Sequence, residues 1–252
     1  MRKVKKKVNA AILIIGNEIL SGRTQDLNVS FLSDWLNRKC GVVVEEVRIV
    51  RDVEKTIIKN ILELSKKFKY VFTTGGIGPT HDDITAKSIS KAFNKKYEYH
   101  KEAYSILENY YGKKNFNDGR KKMSKMPRGS QLIRNPSSAA PGFIIKNIFC
   151  LPGVPSILRS MIDNVEKYLT KGNIIFNKSI NVHTVESSIS RELKNIQKKY
   201  IDKVEIGSYP FFRLGKIGVS IVLRSSNQKK LKLCLFEIKK MIKIKKIKIY
   251  KN

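Results

Sequence analysis

The chain has 252 residues, 41% hydrophobic and 9% aromatic, enough for one large or two smaller packed domains and too much for a disordered chain. Its 51 Lys and Arg against 21 Asp and Glu give a formal net charge of +30, which would favour polyanions if it were gathered on one face. The lysines instead run the whole length, so the charge reads first as a compositional habit, and nucleic acid is not expected as a partner.

In chain order, MRKVKKKVNAAILIIGNEIL superficially resembles a signal peptide, but AAILII is too short, no small-residue cleavage site follows, and Asn17 and Glu18 interrupt it. Residues 10–15 read as a strand buried on both faces, behind a basic tail and ending at Gly16. Leu27, Phe31, Leu32, Trp35 and Leu36 recur at helical spacing, and Gly41 stands where such a helix would stop. VVVEEVRIV (42–50) is β-branched and strand-like. Residues 53–68 follow as a helix, 70–74 as a strand, and 83–93 as a helix after a glycine-rich turn. Strands alternating with helices predict right-handed βαβ units and a mostly parallel sheet.

Between 94 and 142 the pattern loosens into one helix, around YEYHKEAYSILENYYG, and a loop-rich excursion. Regular structure resumes at FIIKNIFCL (143–151), then the turn PGVPS and a helix over 156–169. A boundary is expected at Lys171-Gly172-Asn173. Beyond it, a strand (178–185), a helix (188–199), two strands (203–209 and 217–224) and a helix (228–242) form a β-α-β-β-α module. The Ile/Lys alternation at the end fits an edge strand or a frayed basic tail equally. Cys40, Cys150 and Cys234 are scattered and set among apolar residues, which argues against a disulfide framework or a zinc site and for a reducing cytosol. No run approaches the ~18 apolar residues that span a bilayer, and a cytoplasmic protein without membrane attachment is expected.

TTGGIGPTHDDIT (73–85) carries the most chemistry. Gly75, Gly76 and Gly78 follow a buried strand and allow close backbone approach to a phosphate. The spacing is neither GxGxxG nor GxxxxGK[ST], so neither a dinucleotide-binding Rossmann motif nor a P-loop is supported. Asp82 and Asp83 suit a helix N-terminus, with Thr80-x-x-Asp83 as a capping arrangement. Taken alone they read first as that, and beside a phosphate cradle they also suit a hard cation that bridges to phosphate oxygens. Glu18, Asp26 and Asp52 fall at the other predicted strand-to-helix edges, which lie side by side in a parallel sheet. Asp26 and Asp52 could instead cap the helices they precede. His81 lies near the motif but reads as an ordinary loop residue.

TGGIGPTHDDIT resembles the signature of the molybdopterin-binding (MoCF, MoaB/Mog-like) domain family. GNEIL-SG, then Asp26, Asn28 and Asp52, then Asn135-Pro136, Ala140-Pro141-Gly142 and Leu151-Pro152-Gly153-Val154-Pro155, match the family in order. The resemblance is nearest to the N-terminal part of CinA-type proteins and to the molybdopterin-binding-like domain that precedes eukaryotic FAD synthetase. EIGSYPFF (205–212) resembles the small domain that follows in both.

The resemblance implies a three-layer α/β/α sandwich over residues 8–171, a small α+β module over 172–245 and a basic tail over 246–252, assembled as a dimer or trimer. It also implies a divalent-metal-dependent nucleotide pyrophosphatase acting on ADP-ribose or FAD. The alternatives are molybdopterin binding or adenylylation, and non-catalytic nucleotide or nucleic-acid binding. By motif position Asp52 and Asp83 are the catalytic candidates, and Asp52, Asp82 and Asp83 the candidate ligands of Mg²⁺ or another divalent cation. The small-molecule nucleotide or pterin is expected to meet Gly16, Glu18, Ser21, Gly22, Asn28, Thr74, Gly75, Gly76, Gly78, Thr80, Asn135, Pro141, Gly142, Pro152 and Gly153.

The chain departs from the family pattern at Ser137-Ser138-Ala139, where many members have Gly-Thr. It departs again at Val154, in place of a proline, and at Ile157, in place of a common acid. No deamidase or FAD synthetase domain accompanies these motifs in the sequence, so neither activity is expected.

Overall fold

A computed structural model describes residues 8–213 and 215–250 and divides the chain into two compact units, Met1–Gly172 and Asn173–Asn252. The basic tail expected before the first strand lies outside the described residues, as do residues 251 and 252.

The first unit is built on a six-stranded sheet. Strand β1 (Val8–Ile15) alternates between its two faces. Ala10, Ile12 and Ile14 enter one apolar cluster, and Ala11, Leu13 and Ile15 enter the other. A strand buried on both sides must be apolar at every position, which is why AAILII reads as a continuous run. Helix α1 (Asn17–Leu20) is a single turn. Helix α2 (Asn28–Trp35) continues as a wider turn to Cys40 and stops at Gly41, whose φ of 64° is the left-handed geometry glycine supplies. Strand β2 (Val42–Val50), helix α3 (Glu54–Lys67), strand β3 (Tyr70–Thr74) and helix α4 (Thr85–Ala92) follow.

Strand β4 (Tyr97–Tyr99) and strand β5 (Lys125–Pro127) form a small antiparallel ribbon. Helices α5 (Lys101–Tyr111) and α6 (Asp118–Lys122) lie between them in the chain. Strands β6 (Gln131–Ile133), β7 (Gly142–Ile145) and β8 (Ile148–Leu151), and helix α7 (Pro155–Met161), complete the unit.

The strand order is β2-β1-β3-β8-β7-β6. The first four strands are mutually parallel, and β7 and β6 extend the sheet antiparallel. One face packs on α2, α7 and the turns after α7, through Leu32, Trp35, Leu158 and Met161. The other packs on α3 and α4, through Ile57, Ile61, Leu64 and Ile89. The result is an α/β/α sandwich.

The structure differs in detail from the sequence reading in several places. YEY, at the head of the helix expected around YEYHKEAYSILENYYG, is strand β4. The helix expected over 156–169 is α-helical only to Met161 and continues as tighter 3-10 turns over Ile162–Tyr168. FIIKNIFCL is a hairpin, turned at Lys146 (φ 53°) and anchored where Asn147 Nδ2 donates to the carbonyls of Ser65 and Phe68, each at 3.0 Å. The loop-rich excursion supplies β6 to the main sheet; a three-residue strand is too short to show a period.

In the second unit, β9 (Phe176–His183), β10 (Glu205–Arg213), β11 (Lys216–Ser225) and β12 (Lys248–Ile249) form an antiparallel sheet in the order β10-β11-β9-β12. Helices α8 (Ser190–Lys199) and α9 (Gln228–Ile244) supply Leu193, Ile196, Leu231, Cys234 and Ile238 to its core. The Ile/Lys tail thus includes an edge strand, in which β12 pairs with His183 and Val182 of β9. No helix among the described residues is long and apolar enough to cross a membrane.

Candidate functional site

The parallel strands end along one edge, and backbone contacts tie those ends together. Gly16 N–H donates to Val50 O at 3.1 Å, and Gly75 N–H to Leu151 O at 3.2 Å. Glycine is required at position 75 on steric grounds, since a Cβ there (φ 97°) would lie 2.1 Å from Ile15 O, and the approach is also tight at Gly153, where a Cβ would lie 3.3 Å from Gly75 Cα. The turn after β3 therefore presses directly against the ends of β1 and β8.

The turn is closed from within. Thr85 N–H donates to Gly76 O at 3.0 Å, and the buried Thr85 hydroxyl to Gly75 O at 2.9 Å. Asp83 lies before α4, not in its first turn. Its Oδ2 accepts from Thr80 N–H at 2.8 Å and from the Thr80 hydroxyl at 2.5 Å. Lys122 Nζ donates to Thr80 O from the excursion. Asp82 is exposed and held below the usual carboxylate range by the nearby Thr80 hydroxyl, its own amide and the charges of His81 and Lys122.

The other acids sort themselves by geometry. Asp26 Oδ1 accepts from Val29 N–H at 2.9 Å, the capping role open to it. Asp52 does not cap α3. Its Oδ2 accepts from Asn17 N–H at 2.8 Å, which links the edge of β2 to that of β1. Burial chiefly, and then the neighbouring Glu18 and Asp82 carboxylates, raise the Asp52 pKa, against the pull of the Asn17 N–H.

These groups meet in a cavity of about 570 Å³, within the size range of small-molecule sites. Gly16, Glu18, Asp52, Gly75, Gly76, Gly78, Asp82, Asp83, Asn135, Pro141, Pro152 and Gly153 all line it. The remaining sequence candidates do not. Thr74 is buried in β3, and Gly142 starts β7, where a Cβ would meet Cys150 O at 2.4 Å. Thr80 closes the turn. Ser21 donates to Glu18 O, and Gly22 occupies an exposed turn with φ 72°. Asn28 is buried and donates to Gly153 O at 2.8 Å, so it holds the wall of the cavity without lining it.

Sequence reasoning missed Thr24, Met123 and Ser138, which also line the cavity. Met123 comes from the excursion, where no local pattern signals its destination. Val154 and Ile157, two of the departures from the family pattern, form an apolar wall with Pro152 and Pro155.

The lining contains four carboxylates and no Lys, Arg or His. In a chain of net charge +30, that reversal of sign is local and specific. An anionic ligand would meet these acids, and oxygen donors of this kind suit a hard divalent ion that could offset them. Among the described residues no group of three or more His, Cys, Asp or Glu side chains is placed to hold a metal by itself. A cation here would take its remaining oxygens from ligand and water.

Comparison with known proteins agrees with this architecture. The family described as "Probable molybdopterin binding domain" matches residues 11–171, and "FAD synthase, middle domain" matches residues 174–251. A protein of Archaeoglobus fulgidus is 35% identical over 199 residues, which cover 79% of this chain and 84% of that one. A "CinA-like protein" of Prochlorococcus marinus is 30% identical over 250 residues, covering 92% of this chain but only 56% of its own length. The crystal structure of "the protein CinA with unknown function" from Thermoplasma acidophilum superposes with a TM-score of 0.60 at 30% identity, covering 64% of this chain and 98% of that one. With its sandwich, its glycine turn and its small antiparallel module in this order, the chain belongs to the probable molybdopterin-binding domain family, in its CinA-like branch.

Proposed function

We propose that the protein is a divalent-metal-dependent nucleotide pyrophosphatase acting on an ADP-containing substrate such as ADP-ribose or FAD. The observation that carries this reading is the juxtaposition of four carboxylates with a glycine turn in one cavity that has no basic side chain. Asp52 and Asp82 would share the cation with oxygens of ligand and water, with Asp83 committed in part to Thr80. When bound, the ion would offset charge between carboxylates and phosphate oxygens and polarise the phosphorus centre.

The chain's own groups supply the rest. Backbone N–H groups of Gly76, Ile77 and Gly78 would hold one phosphate, since those of Gly75 and Thr80 are already bonded and Pro79 has none. The wall of Pro152, Val154, Pro155 and Ile157 would exclude water and carry the flat ring. Asp52, fixed by Asn17, would orient the attacking water. Attack forms a new P–O bond, the anhydride P–O bond breaks, and the leaving phosphate departs with the proton balance met by water. The match of the second unit to the middle domain of FAD synthase supports a flavin or nucleotide ligand.

The test is a screen of ADP-ribose, FAD, NAD and ATP with Mg²⁺, Mn²⁺ and Co²⁺, run on the native chain and on Asp52→Asn. The substitution keeps an acceptor for Asn17 N–H and removes the charge. Metal-dependent hydrolysis that falls at least ~100-fold in the variant is the expected outcome. Equal turnover by both proteins would sink the assigned role, and no turnover by either would sink the activity.

A second reading has its own observation. The apolar wall and the family description suit a pterin ring, so molybdopterin binding or adenylylation would use the same cavity. Saturable molybdopterin binding together with inactivity on all four nucleotides would favour it.

A further inference from the structure

The acid-lined cavity does not end at Pro141. Asn135 and Pro141 also line a second depression of about 260 Å³, which Glu102 and Arg134 help enclose. Glu102 and Arg134 in turn line a third, of about 360 Å³, that reaches Lys167 and Tyr168. Shared lining residues place the three side by side, as successive steps of one surface. The charge reverses along the way: the inner cavity has four acids and no cation, whereas Arg134 and Lys167 join Glu102 in the outer part.

Arg134 stands at the junction. It follows β6, and its carbonyl accepts from Asn164 Nδ2 at 3.2 Å. The next residue, Asn135, is buried and donates to Ser138 Oγ at 2.8 Å and to Ala140 O at 2.9 Å. The backbone there is therefore fixed. The guanidinium is not: its side chain is 78% exposed and reaches Glu102 only at 3.7 Å. An exposed pair of that length contributes little, so the guanidinium can change partners at small cost. An anion extending outward from the inner cavity would meet a fork that suits phosphate oxygens.

We propose that the outer cleft is a second subsite for a ligand built of two sugars joined through a diphosphate. Arg134 pairs with the distal phosphate, and Glu102 accepts from hydroxyl groups of the distal sugar. The proposal rests on the inner cavity taking the first phosphate and its nucleoside. It adds the residues that would select such a ligand over a mononucleotide.

The experiment is a calorimetric ladder of AMP, ADP and methylene-bridged ADP-ribose, whose P–C–P link resists hydrolysis, each with Mg²⁺. It uses the native chain, Arg134→Met and Glu102→Ala, with thermal midpoints as a folding control. Each step up the ladder should tighten native binding by about tenfold. Arg134→Met should erase the gain from AMP to ADP, and Glu102→Ala the gain from ADP to the ADP-ribose analogue, with AMP affinity unchanged in both. Gains that survive both substitutions, or no binding of the analogue to the native chain, overturn the subsite. Turnover of ADP-ribose on the same preparations separates the two readings. An intact ladder without hydrolysis refutes the pyrophosphatase and leaves the subsite, and hydrolysis with a ladder indifferent to both substitutions does the opposite.

Discussion

At Asp52 the role proposed for the carboxylate and the stability of the fold pull in opposite directions. Its folded pKa is raised by burial and by Glu18 and Asp82, so the folded state binds a proton more tightly than the unfolded one. Stability then falls as pH rises through the window above the ordinary aspartate pKa, and the charged carboxylate costs stability at neutral pH. Asp52→Asn should therefore raise the thermal midpoint at pH 7 in chelator-treated buffer. That advantage should vanish below about pH 3.9, where the native carboxyl is protonated in both states. Melting curves at both pH values check it, and a native protein more stable than the variant at pH 7 would contradict the sign. Asp83 is a poorer probe. Its Oδ2 closes the turn through Thr80, so Asp83→Ala removes a structural tie together with any bond to metal.

Among the elements, the turn between β3 and α4 is the most constrained. Gly75 sits at φ 97° with no room for a Cβ against Ile15 O. Gly75→Ala should cost at least ~1–3 kcal/mol and weaken ligand binding, because any relief must move the ends of β1 or β8. Chemical denaturation reads the first effect and nucleotide titration the second. A stable variant with native affinity would show that the turn tolerates displacement.

Much of this was legible beforehand. Buried strands declare themselves by composition, as AAILII and YVFTT do, and the glycines with their acids marked the turn. The hairpin at 142–151 and the three-residue β6 were less visible, since short elements carry too few residues to display a period. Asp52 illustrates the remaining limit. Nothing local distinguishes a cap for α3 from a partner for Asn17, a residue 35 positions away.

On the scale of the whole chain, the two units have separate cores. The clusters of the first unit draw on residues up to Leu169, and that of the second on residues from Ile180 onward. A chain ending at Gly172 should therefore fold by itself, with cooperative melting and the inner cavity's ligand affinity retained. Calorimetry and titration of that fragment would decide it, and a fragment without a cooperative transition would refute it. The net charge of +30 is also a property of the whole chain, and it does not reach the inner cavity, which is acidic.

The amino-acid sequence by itself determined the alternation of strands and helices, the parallel sheet, the break near Gly172 and the glycine turn within residues 73–85. Hydrophobic period and glycine chemistry are local and survive in one dimension. Only the tertiary structure decided which acids share a cavity, that Asp26 is a cap while Asp52 is not, and that Met123 and Arg134 come from the unpatterned excursion to line the cleft. Those outcomes depend on which strand ends lie side by side and on which backbone groups are left to be bonded across long chain separations.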